Sequence, residues 1–321
     1  MPSLIYHNGG LGDFLNILPS VYLWKRQEKI QRITLLGRVP FGELGKACGI
    51  FDETMDAGSS SFISLFLETC SEETVSFLKM FNRIVLFAKA DSPIVSHAIK
   101  AAPRLLLRQD PFPDSRIHIS DFHSSLFPGL TEPGNQFRLE LPSDGLRRAR
   151  NLLDANRPAI AIGPGSGSRI KNWPLENFLD CASRLRKLGY SIIWISGPAE
   201  EGYCLPEQDS IIANRDLLSL ACLFSVCNGY LGNDSGITHL AAISGCPVVA
   251  LFGPSDPLVW SPKGRSVSVL SNSHSCSPCH PSERFDRSCD HSCIRSHKVE
   301  TVLKELEKVM GQAFRTEILM M

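Results

Sequence analysis

The sequence predicts an α/β protein of two domains, each built on a doubly wound parallel sheet. Three observations carry this expectation. A chain of 321 residues is longer than one hydrophobic core usually grows, so it divides naturally into two. Short apolar runs alternate with stretches of helical period, the mark of strand–helix–strand units. Three of the runs end in glycine-rich turns that lead into helices, where parallel sheets place their ligands.

Taken in order, SLIYH reads as a strand, and Asp13 to about Lys29 as an amphipathic helix interrupted by Pro19. ITLLG (33–37) and RIVLFA (83–88) are further buried strands. Between them SEETVSFLKMF has helical spacing, with Ser71 placed to cap it and Glu72 and Glu73 suited to a helix start. The segment 110–142, rich in Pro, Asp and Ser, reads as loops with short strands. SDGLRRARNLLDAN (143–156) reads as a helix capped by Ser143, and the Arg157-Pro158 pair ends it, which puts the domain boundary there. The pattern beyond is cleaner. AIAIGP, SIIWISG, GYLGN and PVVALFG are strands, separated by helices in WPLENFLDCASRLRKLG, DLLSLACLFSVC and SGITHLAAISGC. A last amphipathic helix, roughly 297–311, is expected to lie across the other domain.

Composition narrows the function. Lys plus Arg and Asp plus Glu number 33 each, which argues against a dedicated nucleic-acid binder and leaves only local patches to act. Hydrophobic residues make up 43% and charged residues 21%, an ordinary globular balance. The start MPSLIYHNGGLGD lacks a basic segment followed by a long apolar one, and no later apolar run approaches the roughly 18 residues needed to cross a bilayer. A cytoplasmic protein is expected. Of eleven cysteines, those at 48, 70, 181, 204, 222, 227 and 246 are scattered singly and read as small apolar residues.

Chemistry is expected in the three glycine turns. The first is HNGGLGD (7–13), where Asp13 opens a helix either as a simple N-terminal carboxylate or as a general base facing a cleft. The second is GPGSGSRIKNWP (163–174). Its Gly163, Gly165 and Gly167 spacing lacks the last glycine of a dinucleotide fingerprint, and the next strand ends in Ser196-Gly197 instead of an acid. Lys171 stands too far from the glycines for a Walker loop. What remains, Ser166, Ser168, Arg169 and Lys171, suits a diphosphate. In the third, GNDSGITH, Ser235 or Asp234 can cap a helix whose free N–H groups favour an anion, and His239 lies one turn on from Ser235.

The stretches LGDFLNILPS, AIGPGSGSRIKNWP, GNDSGITHLAAISGCPVVALFGPSDPLVWSP and CSPC together resemble glycosyltransferase family nine, the ADP-heptose:lipopolysaccharide heptosyltransferases. The resemblance covers most of 159–293 and the first twenty residues, and the block from Gly232 to Pro262 is its most specific part. It implies a GT-B fold: two Rossmann-like doubly wound domains facing an inter-domain cleft. Residues 1–156 would bind the acceptor, and 157–321, with the C-terminal helix, a nucleotide-sugar donor. It implies inverting transfer without an obligatory metal or cofactor.

Carried over by motif, Asp13 takes the proton from the acceptor hydroxyl, with Asn8 and Gly12 on the acceptor side. Lys171, Ser166 and Ser168 hold the leaving diphosphate, with the backbone N–H groups of Ser235, Gly236 and Ile237. Asp234 belongs to the same donor site, and His239 adds a polar contact. Glu200, in GPAE, matches a family position without an assigned role. The start departs from the pattern, reading HNGG where members more often carry a Ser- or Thr-rich turn.

Cys276, Cys279, Cys289 and Cys293 are spaced C-x2-C-x9-C-x3-C with His274, His280 and His291 interleaved. Four thiolates there would suit a structural zinc. The expectation is no metal, with that zinc as the alternative. Between Phe81 and Gln109 the cations Arg83, Lys89, Lys100, Arg104 and Arg108 face only Asp91. They read first as a solvated surface and second as an attraction for an anionic glycolipid at the inner membrane. The expected function is sugar transfer, by default heptose, from an ADP-type donor to a lipopolysaccharide-core or other cell-surface glycan. The alternatives are a nucleotide-sugar epimerase or hydrolase on the same fold, and a catalytically idle binding protein in glycan assembly.

Overall fold

A computed structural model describes residues 2–130, 137–213, 216–272, 274–279 and 289–311. The chain forms two compact units, Met1–Pro133 and Gly134–Met321. The division falls before the boundary expected at 156/157. The reason is local: the helix Ser143–Arg150 (α6) packs on Leu217–Val226 (α8), so it joins the second unit.

The first unit holds a five-stranded parallel sheet: β1 (Pro2–His7), β2 (Arg32–Gly37), β3 (Glu53–Asp56), β4 (Arg83–Phe87) and β5 (Leu105–Gln109), in the order β3-β2-β1-β4-β5. Chain order reverses between β1 and β4, which makes that gap the switch point. Leu4, Leu36, Ile84 and Leu86 pack under Leu78 of α3 (Glu72–Lys79) and Ile94 and Ala98 of α4 (Pro93–Ala101). Ser71 caps α3 by accepting from Thr74 N–H at 3.3 Å, as expected from the sequence.

Helix α1 (Leu11–Gln27) runs unbroken through Pro19, because its buried face, from Phe14 to Val21, holds it against the unit. It ends just before Lys29, which adopts a left-handed φ of 49°. After α2 (Val39–Ala47), α3 and α4, the segment expected as loops with short strands contains instead α5 (Ile119–Ser124). Ser20 of α1 and Ser124 of α5 are joined at 2.9 Å, and Trp24 stacks at 5.1 Å on Phe127.

The second unit holds a six-stranded parallel sheet: β6 (Ala159–Gly163), β7 (Ser191–Ser196), β8 (Ser210–Ala213), β9 (Gly229–Asn233), β10 (Val248–Phe252) and β11 (Val267–Ser271), in the order β11-β10-β9-β6-β7-β8. Its switch point lies between β6 and β9. Ile160, Ile162, Leu231, Val249 and Leu251 point to one face. There Phe178 and Leu185 of α7 (Leu175–Lys187) meet Val302, Leu303 and Leu306 of α12 (Val299–Met310). The terminal helix, expected to cross to the other domain, thus completes the core of its own unit. On the opposite face Tyr230 meets Phe224 of α8 edge-on at 5.2 Å. Burying each such large side chain is worth roughly 1.5–3 kcal/mol. The remaining helices are α9 (Gly236–Ile243), α10 (Pro257–Trp260) and α11 (Ser292–Arg295). Pro142 occupies the N-cap of α6, and Ser143, expected there, is its first helical residue.

Candidate functional site

In the second unit the two sequence-predicted loops leave β6 and β9, the neighbours at the switch point. Gly163 and Gly232 are register partners at the ends of these strands. A Cβ on either glycine would collide with the hydroxyl of the fully buried Tyr230, which is why the two strand ends are glycine. Asn233, entirely buried, then joins the loops: its amide donates to Pro164 O at 2.7 Å and its Oδ1 accepts from Trp173 N–H at 2.9 Å. The one element between those two contacts that carries charge is the turn Arg169–Lys171. From it Lys171 Nζ reaches Asp234 Oδ2 at 2.8 Å, with side-chain exposures of 21% and 9%.

Beyond Asp234, Ser235 adopts an extended φ of −152° and caps α9, accepting from Thr238 N–H at 3.3 Å. The cap is therefore Ser235, and Asp234 is left to the lysine. The first-turn N–H groups of Gly236 and Ile237 have no carbonyl within the helix to bind, which makes this terminus favourable to an anion. His239 is buried on the same helix and its backbone N–H donates to Ser235 O at 3.2 Å.

The hydroxyls expected on the glycine turn divide. Ser166 is 7% exposed, and its Oγ lies 2.6 Å from Asn172 Oδ1 and 2.9 Å from Ser168 O, so it shapes the turn from within. Ser168 is half-buried, and its N–H donates to Ser166 Oγ at 3.3 Å. Glu200, for which the sequence offered no role, clamps the same turn: its carboxylate accepts from Gly165 N–H at 2.9 Å and Gly197 N–H at 2.8 Å. Burial, the larger influence, raises its pKa, and those N–H bonds oppose the rise. A cavity of about 360 Å³ adjoins the turn between Arg169, Asn172, Trp173, Glu201 and Tyr203.

In the first unit Asp13 stands in the first turn of α1, and its Oδ2 accepts from Gly10 N–H at 3.0 Å. The carboxylate thereby closes the HNGGLGD turn on itself. Gly12 O accepts from Asn16 at 2.8 Å, and the exposed Asn8 hydrogen-bonds the Tyr6 side chain. Sequence reasoning passed over His7 at the end of β1 and His123 on α5. Both are buried beside this turn, and burial lowers their pKa values to about 4 and about 3. The signal was present in the HNGG that departs from the family pattern.

Of the four late cysteines, Cys279 and Cys293 are buried, Cys289 is half-buried and Cys276 is exposed. Burial, aided by the thiols of Cys276, Cys279 and Cys289, pushes Cys293 up to about 11. Cys279 is also buried, and its N–H donates to Pro254 O at 2.8 Å. Among the described residues no three His, Cys, Asp or Glu side chains form a group able to hold a metal ion. His280 lies outside the described residues. The cations of 81–109 divide between ion pairs and open surface: Arg83 meets Glu28 at 3.6 Å and Arg108 meets Asp110 at 3.0 Å, while Lys89, Lys100 and Arg104 are exposed. Among the described residues no helix is long and apolar enough to cross a membrane.

Two doubly wound parallel sheets, with glycine turns and a helix terminus at the switch point of the second, are the parts of a protein of the GT-B glycosyltransferase class. The chain belongs to glycosyltransferase family 9 (heptosyltransferase), whose profile matches residues 116–287, more than half of its length. It is 22% identical over 318 residues to lipooligosaccharide heptosyltransferase 2 of Campylobacter jejuni serotype O:6, covering 93% of this chain and 96% of that one. It is 25% identical over 152 residues to the lipopolysaccharide core heptosyltransferase OpsX of Haemophilus influenzae, a match that spans 44% of each chain. The fold superposes on the E. coli ADP-heptose lps heptosyltransferase II with a TM-score of 0.73 at 17% identity, covering 97% of this chain and 98% of that one.

Proposed function

We propose that this protein is an inverting glycosyltransferase that moves heptose from ADP-heptose to a lipopolysaccharide-core acceptor. The second unit binds the donor and the first the acceptor. The observation that carries the donor assignment is the Lys171–Asp234 pair at 2.8 Å, set between two glycine turns at the switch point and beside the start of α9. A nucleoside diphosphate bound there meets the Lys171 ammonium and the Gly236 and Ile237 N–H groups. As the glycosidic bond to the diphosphate breaks, its electron pair goes to the leaving phosphate oxygen. The fixed donors stabilise that charge without reorganising, at about 3 kcal/mol for each group of this kind. Ser168 and Arg169 add polar contacts at the rim. Ser166, Asn233 and Glu200 hold the turns in place.

On the acceptor side Asp13 acts as general base. The acceptor hydroxyl oxygen attacks the anomeric carbon from the face opposite the diphosphate, and its proton passes to the Asp13 carboxylate. No metal or other cofactor takes part in this scheme, because a lysine and a helix terminus supply the positive charge. The functions of the relatives and the family assignment support heptose and ADP as the donor parts. A peripheral attachment at the cytoplasmic face of the inner membrane, through Lys89, Lys100 and Arg104, would bring the protein to a glycolipid acceptor.

The test is calorimetric titration with ADP, GDP, UDP and dTDP on the wild type and on Lys171→Ala, followed by transfer assays with ADP-heptose. Selective ADP binding that is lost in the variant, with heptose transferred to a core acceptor, is the expected outcome. Donor consumption without an acceptor would replace transfer by hydrolysis or epimerisation. No binding of any of the four nucleotides would sink the reading.

A further inference from the structure

The end of β1 carries a second polar assembly that the proposed mechanism does not use. His7, Phe87 and Gln109 lie side by side at the carboxyl ends of β1, β4 and β5, across the switch point of the first sheet. Phe87 meets His7 edge-on at 5.9 Å and His123 edge-on at 5.1 Å, so one phenyl ring separates or flanks both imidazoles. His7 is 5% exposed and His123 1%.

Each imidazole has a buried nitrogen that meets no hydrogen-bond partner among the described residues: Nδ1 of His7 and Nε2 of His123. The chemistry of the second is determined by its neighbours. Gln109 donates through Nε2 to Phe122 O at 2.6 Å, so its Oε1 is the acceptor that meets His123 Nδ1 at 2.9 Å. His123 Nδ1 therefore carries the proton, and Nε2 presents a bare lone pair. A buried lone pair of this kind calls for a donor. The Arg38 guanidinium, near enough to disfavour charge on His7, weighs against a cation there, whereas an O–H group both donates and accepts and suits either tautomer of His7.

His7 adjoins the Asp13 turn. A Cβ on Gly9 would stand 3.1 Å from both His7 Cε1 and Asp13 Oδ2, so the imidazole edge and the carboxylate converge on one point of the backbone. We propose that His7 Nδ1 and His123 Nε2 form a hydroxyl-binding subsite beside the Asp13 turn, filled by a sugar hydroxyl or by an ordered water. With a sugar hydroxyl, the subsite orients the acceptor ring. With water, it fixes the His7 ring and through it the Gly9–Gly10 backbone that holds Asp13. The functional part of this inference rests on the transferase reading, and the subsite itself does not.

Long-range proton–nitrogen correlation NMR on the full chain reads the unprotonated imidazole nitrogens directly. Spectra are taken on the protein alone and with methyl mannoside as a neutral sugar probe. Nitrogen signals displaced from the free-imidazole position in the protein alone identify water as the occupant. Displacement only on adding the glycoside identifies a sugar hydroxyl. Signals at the unbonded position in both samples overturn the subsite, whatever the protein's activity.

In transfer assays His7→Phe, which keeps the ring, is expected to raise the acceptor KM or lower kcat by about tenfold with the nucleotide-sugar KM unchanged. His7→Asn, which restores a polar group at the Nδ1 position, is expected to recover part of the loss. Equal loss in His7→Phe and His7→Asn, tracking a lowered melting temperature, would reduce His7 to a packing residue. Should the wild type transfer no heptose, the kinetic arm fails with the transferase reading, while the NMR result still decides the subsite.

Discussion

Lys171 and Asp234 come from loops sixty-odd residues apart in sequence and meet at 2.8 Å, with Asp234 only 9% exposed. On the proposed reading the lysine has two tasks: it offers a cation to an arriving diphosphate, and it neutralises a carboxylate that would otherwise repel that ligand. Lys171→Met should weaken ADP binding by more than the loss of one phosphate contact, because Asp234 is left uncompensated. Lys171→Met with Asp234→Asn should recover part of the affinity. Titration calorimetry on the two single variants and the double closes the cycle, and strict additivity would show that the pair is not coupled.

Asn233 is expected to act on stability first. Its amide serves Pro164 O and Trp173 N–H, and it is fully buried. Asn233→Ala leaves both main-chain groups without that partner, at about 1–3 kcal/mol for each buried group left unmade. Urea unfolding should show a lower midpoint, with ADP affinity falling alongside because the two turns lose their common tie.

Asp13→Asn separates chemistry from donor binding. The amide can keep a contact to the Gly10 main chain, where the carboxylate accepts at 3.0 Å, but it cannot take a proton. Transfer should fall by about a hundredfold or more, the usual scale for losing a general base. The ADP-induced rise in melting temperature should be unchanged, since the proposed donor groups lie in the second unit. A variant with full transfer activity would remove Asp13 from the mechanism.

Acid should destabilise the first unit. Burial holds His7 at about 4 and His123 at about 3, against 6.5 for a free histidine. Arg38 adds to the lowering at His7, and His7 adds to it at His123. Between those values and 6.5 the unfolded chain binds more protons than the folded one, so stability rises with pH through this window. The contribution is complete above about 6.5 and is lost as pH falls towards 4 and then 3. Chemical denaturation across that range should give a shallower pH slope for His123→Phe than for the wild type.

Glu200 tests whether the glycine turn is held from outside. Its carboxylate accepts from Gly165 N–H at 2.9 Å and from Gly197 N–H at 2.8 Å. Glu200→Ala frees both, and ADP affinity should fall severalfold although Glu200 is not itself assigned a ligand contact. Amide hydrogen exchange should accelerate at Gly165 and Gly197, and unchanged exchange at both would dismiss the clamp.

Much of the second unit was legible because its strands are buried on both faces and read as continuous apolar runs, such as AIAI and PVVALF, closed by glycine. The first unit was harder. β3 (ETMD) and β5 (LLLRQ) are short and only partly buried, and β3 has no apolar run while that of β5 stops after three leucines. The helix Ile119–Ser124 was hidden in a Pro- and Ser-rich segment, and it forms because Ser20 and Gln109 give its polar side partners.

By itself, the sequence determined the fold class, the three glycine turns and the residue types at the candidate site, because period, glycine and cap signals act over a few neighbouring residues. Tertiary structure alone decided that Lys171 pairs with Asp234, that Ser166 turns inward, that Glu200 clamps Gly165 and that His7 and His123 are both buried against Phe87. Apart from the Ser166 turn, these relations join residues from elements far apart in the chain, and strand order with burial, which local pattern does not encode, sets which side chains meet.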